Sequence, residues 1–571
     1  MLIFVIGIGF ALVLVAATAS QQRRRDERRW LGDLLDGFGK PVERERDLTR
    51  LRALHLARQA AEPALPRVDE RAWTDLDMDL VFAALDRTAS QTGAQCLYDR
   101  LRRPEEREPR APEMEALAGE LGASAGAREQ LARDLMPLRE WHASYLANLL
   151  WDEPPRPHRF GALFPVLGLL PLALAVAGFL WPRLFIAALG AALVNMLVRI
   201  ALRSSIDPYV PGLRALPAFI RVAHNVAGRS GGAGHALRDR VRLRLPELRF
   251  LRGAMRWIAF ESGREASLLG PIAELGGSLQ EYLNTAFLLD LNAFRFAGRR
   301  IRRHAGALRE VFDAIGSLDV ALAVASVRAG AGLRWTRPVF TNGPRRLEAR
   351  GLVHPLLPEP VANDVVMDGR SWLVTGSNMS GKSTLLRTVG VNALLARSLG
   401  TVLGTHWEGP AFTVRTCIGR GDSIVAGKSY YLAEAEAVRD LLQASAGESP
   451  HLFILDELFR GTNTVERIAA GRAVLAYLDR GPHLVMVATH DIELTRWLGE
   501  RYGTFHFREQ VENDELTFDY LLKPGVSSTR NAIALLEALG YPEEVVQAAA
   551  LSAASDSRDT LPVEARSPAE G

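Results

Sequence analysis

Three long apolar stretches constrain this chain more than any other feature of its sequence. They cover residues 2–19, 160–181 and 184–202, and each is long enough to cross a bilayer core of about 30 Å as a helix. The first two contain no charged residue, and the third contains only Arg199, near its end, from where it can reach the interface. We therefore predict three transmembrane helices.

The arginines beside these stretches predict their orientation. The first stretch could be a cleaved secretion signal, but no basic region precedes it, and five arginines follow it within residues 23–29. The positive-inside rule places these arginines in the cytoplasm and the N-terminus outside. We predict a multi-pass protein of the cytoplasmic (inner) membrane, with one span at 1–20, a hairpin at 160–202 and the bilayer as a partner. A pair of buried core helices is the alternative for the hairpin.

The remaining segments differ in their apolar pattern. Residues 21–158 and 203–338 have helical spacing and predict two parts of one cytoplasmic all-α core domain. In residues 339–551 short apolar runs alternate with helical patterns, which predicts an α/β domain with a mostly parallel sheet. Residues 552–571 are small and polar, and we expect them to be disordered. The chain has only two cysteines, too few for a disulfide framework, which suits a reducing compartment.

A phosphate-binding motif opens the α/β region. Residues 376–383 fit the pattern G-x-x-x-x-G-K-S between an apolar run and a predicted helix. The glycines let backbone N–H groups face phosphate oxygens, and the helix N-terminus adds its dipole. Only four of the 69 basic residues are lysines, so Lys382 stands out as the cation for the β and γ phosphates. The predicted ATP-binding residues are Gly376, Ser377, Asn378, Met379, Ser380, Gly381, Lys382, Ser383 and Thr384.

Two further apolar runs end in candidate catalytic residues. Residues 451–455 lead into Asp456 and Glu457, and residues 484–488 lead to His490. At the carboxyl ends of parallel strands these side chains would lie beside the phosphate-binding loop. We predict that Ser383 and Asp456 hold Mg²⁺, that Glu457 activates water, and that His490 reaches the γ-phosphate.

A second Gly-Lys-Ser sequence lies at residues 427–429, before a predicted helix at 430–442. It is not a second phosphate-binding loop, because its glycine spacing is wrong and no strand leads into it. Ser429 can be a simple N-cap or part of an anion site at the helix end. Its place between the other two motifs is that of ATP-binding-cassette domains, in which a second subunit's helix end closes over the nucleotide.

Four motifs in this order resemble those of the MutS family. Residues 375–384 resemble TGPNMGGKST, 429–434 resemble its signature helix, 456–464 resemble DEIGRGTST, and 488–495 resemble ATHYFELT. The resemblance implies a P-loop ATPase domain of the cassette type, a helical core, a homodimer with composite sites, ATP and Mg²⁺ as ligands, and Ser429 acting in trans.

Weaker likenesses extend over more of the chain. Residues 86–104 and 318–321 resemble the opening and the end of the family's helical core, and 532–542 resemble its dimerisation tail. The family's adenine-stacking phenylalanine falls on Pro360, and Tyr520 occupies a position where a ring can face the base. The segment before the core is too short for a mismatch-reading domain.

We therefore expect a membrane-anchored, MutS-like ATPase that works as a homodimer and binds DNA, if at all, without mismatch specificity. There are two alternatives: a membrane-tethered DNA repair or recombination factor, and a nucleotide-gated scaffold. A cassette transporter subunit would need an LSGGQ-like signature and more transmembrane spans. DNA binding would need a basic surface, which the arginines of residues 295–303 could supply. Such a run is more often a solvated or lipid-facing helix face.

Overall fold

The computed structural model divides the chain into two compact units. It describes residues 18, 20–22, 24–41, 47–103, 112–152, 160–249, 285–330, 334–343, 345–377, 380–419, 430–512, 515–526 and 540–559. The first unit comprises Met1–Arg67, Asp79–Glu105 and Pro109–Leu333, and the second comprises Val68–Met78, Glu106–Glu108 and Arg334–Gly571.

The described part of the first unit is helical, as its spacing predicts. Its α-helices are α1 (24–36), α2 (Leu48–Ala61), α4 (Met78–Leu85, whose first residue belongs to the second unit), α5 (Gln91–Arg102), α6 (Pro112–Ala123), α7 (Ala125–Leu135), α8 (Leu146–Trp151), α9 (Phe164–Gly178), α10 (Leu184–Ile206), α11 (Val210–Gly228), α12 (His235–Leu248), α13 (Leu289–Arg303) and α14 (Ala305–Arg328). Short 3₁₀ turns lie at Met136–Leu138, Trp141–Tyr145 and Gly161–Leu163.

The core of this unit forms around α14, which is buried along most of its length. Its Asp319 is fully buried and accepts hydrogen bonds from the backbone N–H groups of Ala89 and Ser90 and from the Ser90 hydroxyl. A Cβ at Gly93 would lie 2.0 Å from the Asp319 carboxylate, so only glycine fits there. The two segments that resemble the opening and the end of the MutS core therefore pack directly against each other.

Helices α9 and α10 form an apolar hairpin. By length and composition Gly161–Gly178 and Leu184–Leu202 could each cross a membrane, although the core helices of soluble proteins can pass the same test. The described residues therefore contain two such helices rather than the three predicted. The first predicted span, at 1–20, lies almost entirely outside the described residues.

The second unit contains two sheets. Its strands are β1 (Val339–Phe340), β2 (Arg346–Leu352), β3 (Asn363–Asp368), β4 (Ser371–Thr375), β5 (His406–Gly409), β6 (Thr413–Ile418), β7 (His451–Asp456), β8 (Leu484–Ala488), β9 (Tyr502–Glu512) and β10 (Glu515–Pro524). Its helices are α3 (Glu70–Asp75), α15 (Lys382–Leu399), α16 (Tyr430–Ala444), α17 (Thr464–Leu478), α18 (Ile492–Leu498) and α19 (Glu543–Asp559).

The larger sheet has the order β10-β9-β4-β8-β7-β6, and all its pairs are parallel except β10 with β9. This confirms the predicted α/β class. Strands β4, β7 and β8 are fully buried, as their continuous apolar runs predict. The smaller sheet, of order β1-β5-β2-β3, is mostly antiparallel and was not predicted.

Two domain boundaries differ from those predicted. The segment Val68–Met78 was assigned to the helical core but belongs to the second unit. The carboxylate of Asp75, on α3, accepts hydrogen bonds from the Thr416 hydroxyl at 2.7 Å and from the Ile418 backbone N–H at 3.0 Å. These bonds satisfy donors on the edge strand β6, which explains why the segment packs there. At the other end, α19 continues to Asp559, although the disordered tail was predicted to begin at 552.

Candidate functional site

The phosphate-binding loop connects β4 to α15, as predicted. Gly376 and Gly381 adopt φ values of 138° and 105°, which side chains with a Cβ rarely adopt. Between them the Ser380 hydroxyl donates to the Ser377 carbonyl at 2.8 Å. Helix α15 begins at Lys382, directly after this turn, so its N-terminus faces the loop.

Lys382 lies inside the loop. Its ammonium donates to the Gly376 carbonyl at 2.7 Å and to the Ser377 carbonyl at 2.6 Å, and only 3% of the residue is exposed. Phosphate oxygens bound in the loop would compete for the same donors. The Lys382 ammonium can therefore bond either to these loop carbonyls or to the phosphates of a bound ligand.

Ser383 and Asp456 meet beside Lys382. The Ser383 hydroxyl donates to Oδ2 of Asp456 at 2.5 Å, while Oδ1 of Asp456 is buried and has no hydrogen-bond partner among the described residues. A buried carboxylate oxygen without a donor fits a cation. No group of three or more His, Cys, Asp or Glu side chains could hold a metal in the described part of the chain. With the Ser383 hydroxyl and the Asp456 carboxylate as oxygen ligands, the site suits Mg²⁺, which binds through few protein ligands together with substrate phosphates and water.

Glu457 follows the strand β7 in a strained turn. Its φ is 52° and that of Phe459 is 61°, an uncommon conformation for residues other than glycine. The Glu457 N–H donates to the Ala488 carbonyl at 2.9 Å, which ties the turn to the end of β8. Conformations of this kind persist where the surroundings hold them, and they cluster at active sites.

A guanidinium and an imidazole face the Glu457 carboxylate, which is 7% exposed. Arg460 lies 2.6 Å from its Oε2, and Nδ1 of His490 lies 3.5 Å from the same atom. Burial raises the pKa of Glu457, but the hydrogen bond from His490 and the charges of Arg460, His490 and Lys382 outweigh it and lower the pKa. Glu457 in turn raises the pKa of His490. The predicted catalytic residues Glu457 and His490 are thus in contact, and Lys382 is near enough to influence Glu457.

Comparison with known proteins agrees with this geometry. Residues 372–555 match the family described as MutS domain V. The C-terminal part of the chain is therefore similar to MutS domain V. The match includes β4, the phosphate-binding loop, the Asp456–Glu457 turn and His490.

Individual relatives cover the same half of the chain. A DNA mismatch repair protein MutS from Thermus thermophilus is 36% identical over 254 residues, which are 44% of this chain and 30% of the relative. The MutS protein from Roseiflexus castenholzii is 34% identical over 282 residues, which are 46% of this chain and 25% of the relative. The MutS protein from Natronomonas pharaonis is 30% identical over 290 residues, which are 49% of this chain and 33% of the relative. The findings support a MutS-family protein, and the chain spans a third or less of the length of these curated relatives.

Glu434 lies in the region similar to MutS domain V, and the sequence analysis did not assign it to the site. It lies on α16, 6% exposed, and its carboxylate accepts a hydrogen bond from the Phe459 backbone N–H. Burial raises the pKa of Glu434, while the backbone N–H groups of Phe459 and Arg460 and the Arg460 charge oppose the rise. A Cβ at Gly461 would lie 3.0 Å from that of Tyr431, also on α16. The first turns of α16 therefore hold the strained turn that carries Glu457.

Replacing Glu434 by Ala should slow ATP hydrolysis about 10- to 100-fold without weakening ATP binding. The buried Phe459 N–H would lose its acceptor, at a cost of about 1–3 kcal/mol, and a small shift of the base is expensive for catalysis. Glu434→Gln still offers an oxygen and should retain most of the rate. Single-turnover rates and ATP dissociation constants test this, with exposed Asp440→Ala on the same helix as control. Equal losses for Gln and Ala, or loss of ATP affinity, would contradict a positioning role.

A cleft of ≈ 390 Å³ adjoins the phosphate-binding loop. Gly381, Lys382, Ser383 and Thr384 line one side of it. Tyr520 and Phe507 line another side, and the Tyr520 ring lies 3.2 Å from a Cβ built at Gly381. The Tyr520 ring thus lies in the cleft beside the phosphate-binding loop, and its contact with a nucleotide base stays a prediction. Phe507 was not predicted, because nothing in the spacing of β9 marks it.

The backbone of Tyr520 is held by Asn363. The Asn363 amide donates to the Tyr520 carbonyl at 2.9 Å and accepts from the Leu522 N–H at 2.8 Å, across a register shift between β9 and β10. Three predicted site residues, Asn378, Met379 and Ser429, lie outside the described residues. Their roles remain predictions.

Proposed function

We propose that this protein is a membrane-anchored ATPase of the MutS type that binds Mg²⁺–ATP and hydrolyses it at composite sites of a homodimer. One observation carries the ATPase proposal. The cation Lys382, the Ser383–Asp456 pair and the Glu457–His490 pair lie at the loop and strand ends of one sheet edge. Mg²⁺-dependent phosphate release by the purified full-length chain tests it.

Each side chain has a separate task in this proposal. Lys382 binds phosphate oxygens. Ser383 and Asp456 would hold Mg²⁺, which when bound would offset negative charge on the phosphates. Glu457 orients the attacking water and accepts its proton. His490 stabilises the negative charge on the γ-phosphate. Because Arg460 and His490 lower the pKa of Glu457, they also weaken it as a base. Release of Arg460 from Glu457 when a second subunit closes would raise that pKa and strengthen the base.

The membrane part of the proposal rests on the surface of the α9–α10 hairpin. Many of its apolar side chains are exposed, among them Phe179 at 83%, Ile186 at 77% and Leu189 at 72%. Soluble monomers rarely expose a continuous apolar surface of this extent. A lipid bilayer would cover the hairpin and account for its composition.

The backbone of the hairpin is also suited to lipid. Pro171 has no N–H, so it leaves the carbonyl of Leu167, four residues earlier, without its helical donor. The side-chain amide of Asn195 on α10 donates to this carbonyl at 2.8 Å. A satisfied carbonyl avoids the cost of an unpaired polar group in hydrocarbon. Asn195 therefore has a structural role within the hairpin.

Replacing Ile186 and Leu189 by Arg should reduce the membrane-bound fraction of the protein. Each arginine would face hydrocarbon at a cost of about 2.5–3.5 kcal/mol. Leu243→Arg on α12 is a matched control, since Leu243 is 76% exposed outside the hairpin. Resistance to alkaline carbonate extraction measures anchoring: the parent and the control should stay in the membrane pellet. A parent protein that is fully extracted would contradict membrane anchoring.

A further inference from the structure

Helix α13 begins beside the apolar hairpin. The Asn195 amide donates to the Ala286 carbonyl at 2.6 Å, and the Asn292 amide donates to the Phe164 carbonyl at 3.2 Å. A Cβ at Gly168 would lie 2.3 Å from the Phe287 carbonyl oxygen, so the two backbones touch there. The start of α13 is therefore attached to both helices of the hairpin.

From this attachment α13 runs towards the base of the hairpin, where α9 begins. Its Asn292 lies beside Phe164, and the Arg295 side chain lies 3.7 Å from a Cβ built at Gly161. Helix α13 thus runs antiparallel to α9 and passes the hairpin base near Arg295. The arginines at 299–303 follow four to eight residues later, about 6–12 Å further along the axis at 1.5 Å per residue.

This position matches the headgroup layer of a bilayer. If the apolar hairpin spans the hydrocarbon, the layer beyond its base is about 5–8 Å thick on each side, from a core of ≈ 30 Å and a total of ≈ 40–45 Å. Leu291, Phe294 and Ile301 are buried on one face of α13, whereas Arg300, Arg302 and Arg303 are exposed. The backbone of Arg300 therefore lies within this layer and that of Arg302 and Arg303 just beyond it, from where long arginine side chains can reach lipid phosphates.

Helix α13 is strongly basic. It contains five arginines and one acid, Asp290, at its start. We propose that the arginines of α13 bind the headgroups of anionic phospholipids, an inference that rests on the proposed membrane anchoring. Its continuity with the apolar hairpin favours lipid over duplex DNA as the source of phosphate.

The test measures lipid selectivity in vesicles of phosphatidylcholine that contain phosphatidylglycerol. Spin-labelled lipids report how strongly each lipid associates with the full-length protein. The parent should prefer the anionic lipid roughly fivefold, as expected for the ~1 kcal/mol that an arginine gains at an anionic surface. The triple variant R300Q/R302Q/R303Q should lose the preference for the anionic lipid. The parent should also lose it in 1 M salt, because the Debye length is then about 3 Å and the charges are screened. The control R346Q/R350Q/R439Q removes the same charge from exposed positions elsewhere and should keep the preference.

Several outcomes would overturn the inference, and they are distinguishable. A parent that enters vesicles but shows no anionic preference contradicts lipid binding by α13 and leaves membrane anchoring intact. A parent that shows no motionally restricted lipid at all contradicts the anchoring itself. Equal loss in the control variant would assign the preference to net charge. The parent could instead show no lipid selectivity but bind duplex DNA in a salt-sensitive way. If the triple variant lost this DNA binding and the control variant kept it, the arginines would be assigned to nucleic acid.

Discussion

Replacing Glu457 by Gln should leave a protein that binds ATP but hydrolyses it about 10²- to 10⁴-fold more slowly than the parent. Glutamine keeps the shape of the side chain but cannot accept the proton of the attacking water. It leaves Lys382, Ser383 and Asp456 in place, so ATP and Mg²⁺ should still bind. The variant should therefore accumulate with ATP bound, and a dimer closed by nucleotide should persist.

Rapid-quench measurements with labelled ATP give the chemical rate, and gel filtration shows whether nucleotide and dimer remain together. Exposed Glu466→Gln, on α17, is the control for the loss of one negative charge. Because its pKa is lowered, Glu457 stays ionised until the pH falls through that lowered value, so the parent should not lose its base between pH 8 and 5. An E457Q protein as fast as the parent would rule out Glu457 as the base.

Replacing Lys382 by Ala should weaken ATP binding at least about a hundredfold and abolish turnover. Its ammonium is buried inside the loop and would donate charge-assisted bonds to the β and γ phosphates, worth about 3 kcal/mol. Arginine should not replace it, since the planar guanidinium does not fit where Lys382 bonds to Gly376 and Ser377. Equilibrium binding of a fluorescent ATP analogue measures the loss, with Lys40→Ala as control.

The same variant tests the composite site. Mixing Lys382→Ala with Ser429→Ala subunits should restore activity in one of the two sites of a heterodimer, because that site keeps one intact half from each subunit. Confirmed heterodimers without any recovery would contradict the action of Ser429 in trans. Unchanged ATP affinity in Lys382→Ala alone would contradict the assignment of the loop.

The sequence alone predicted the strands and turns that build the centre of the site. Strands β4, β7 and β8 are continuous apolar runs, and parallel strands bring their carboxyl ends to one edge. The contacts of Ser383 with Asp456 and of Glu457 with His490 follow from this arrangement. Local pattern and sheet geometry together determine them.

Features that depend on contacts distant in sequence were not predictable. Asp75 lies more than 300 residues from its partners Thr416 and Ile418. The spacing of apolar residues in the sequence does not predict a contact of this kind. Glu434 looks like any acid on an exposed helix until its hydrogen bond to Phe459 is seen. Arg199 was expected to reach an interface, but it is 8% exposed and donates to the Thr285 hydroxyl.

The most direct test of the ATPase account is a single-turnover measurement on the detergent-purified full-length chain, with protein in excess over labelled ATP. With Mg²⁺ the parent should convert bound ATP to ADP and phosphate, whereas chelation of Mg²⁺ or the E457Q substitution should leave the ATP intact. If the parent binds ATP and Mg²⁺ but leaves the nucleotide uncleaved, or cleaves it at the rate of E457Q, the account of the site is wrong.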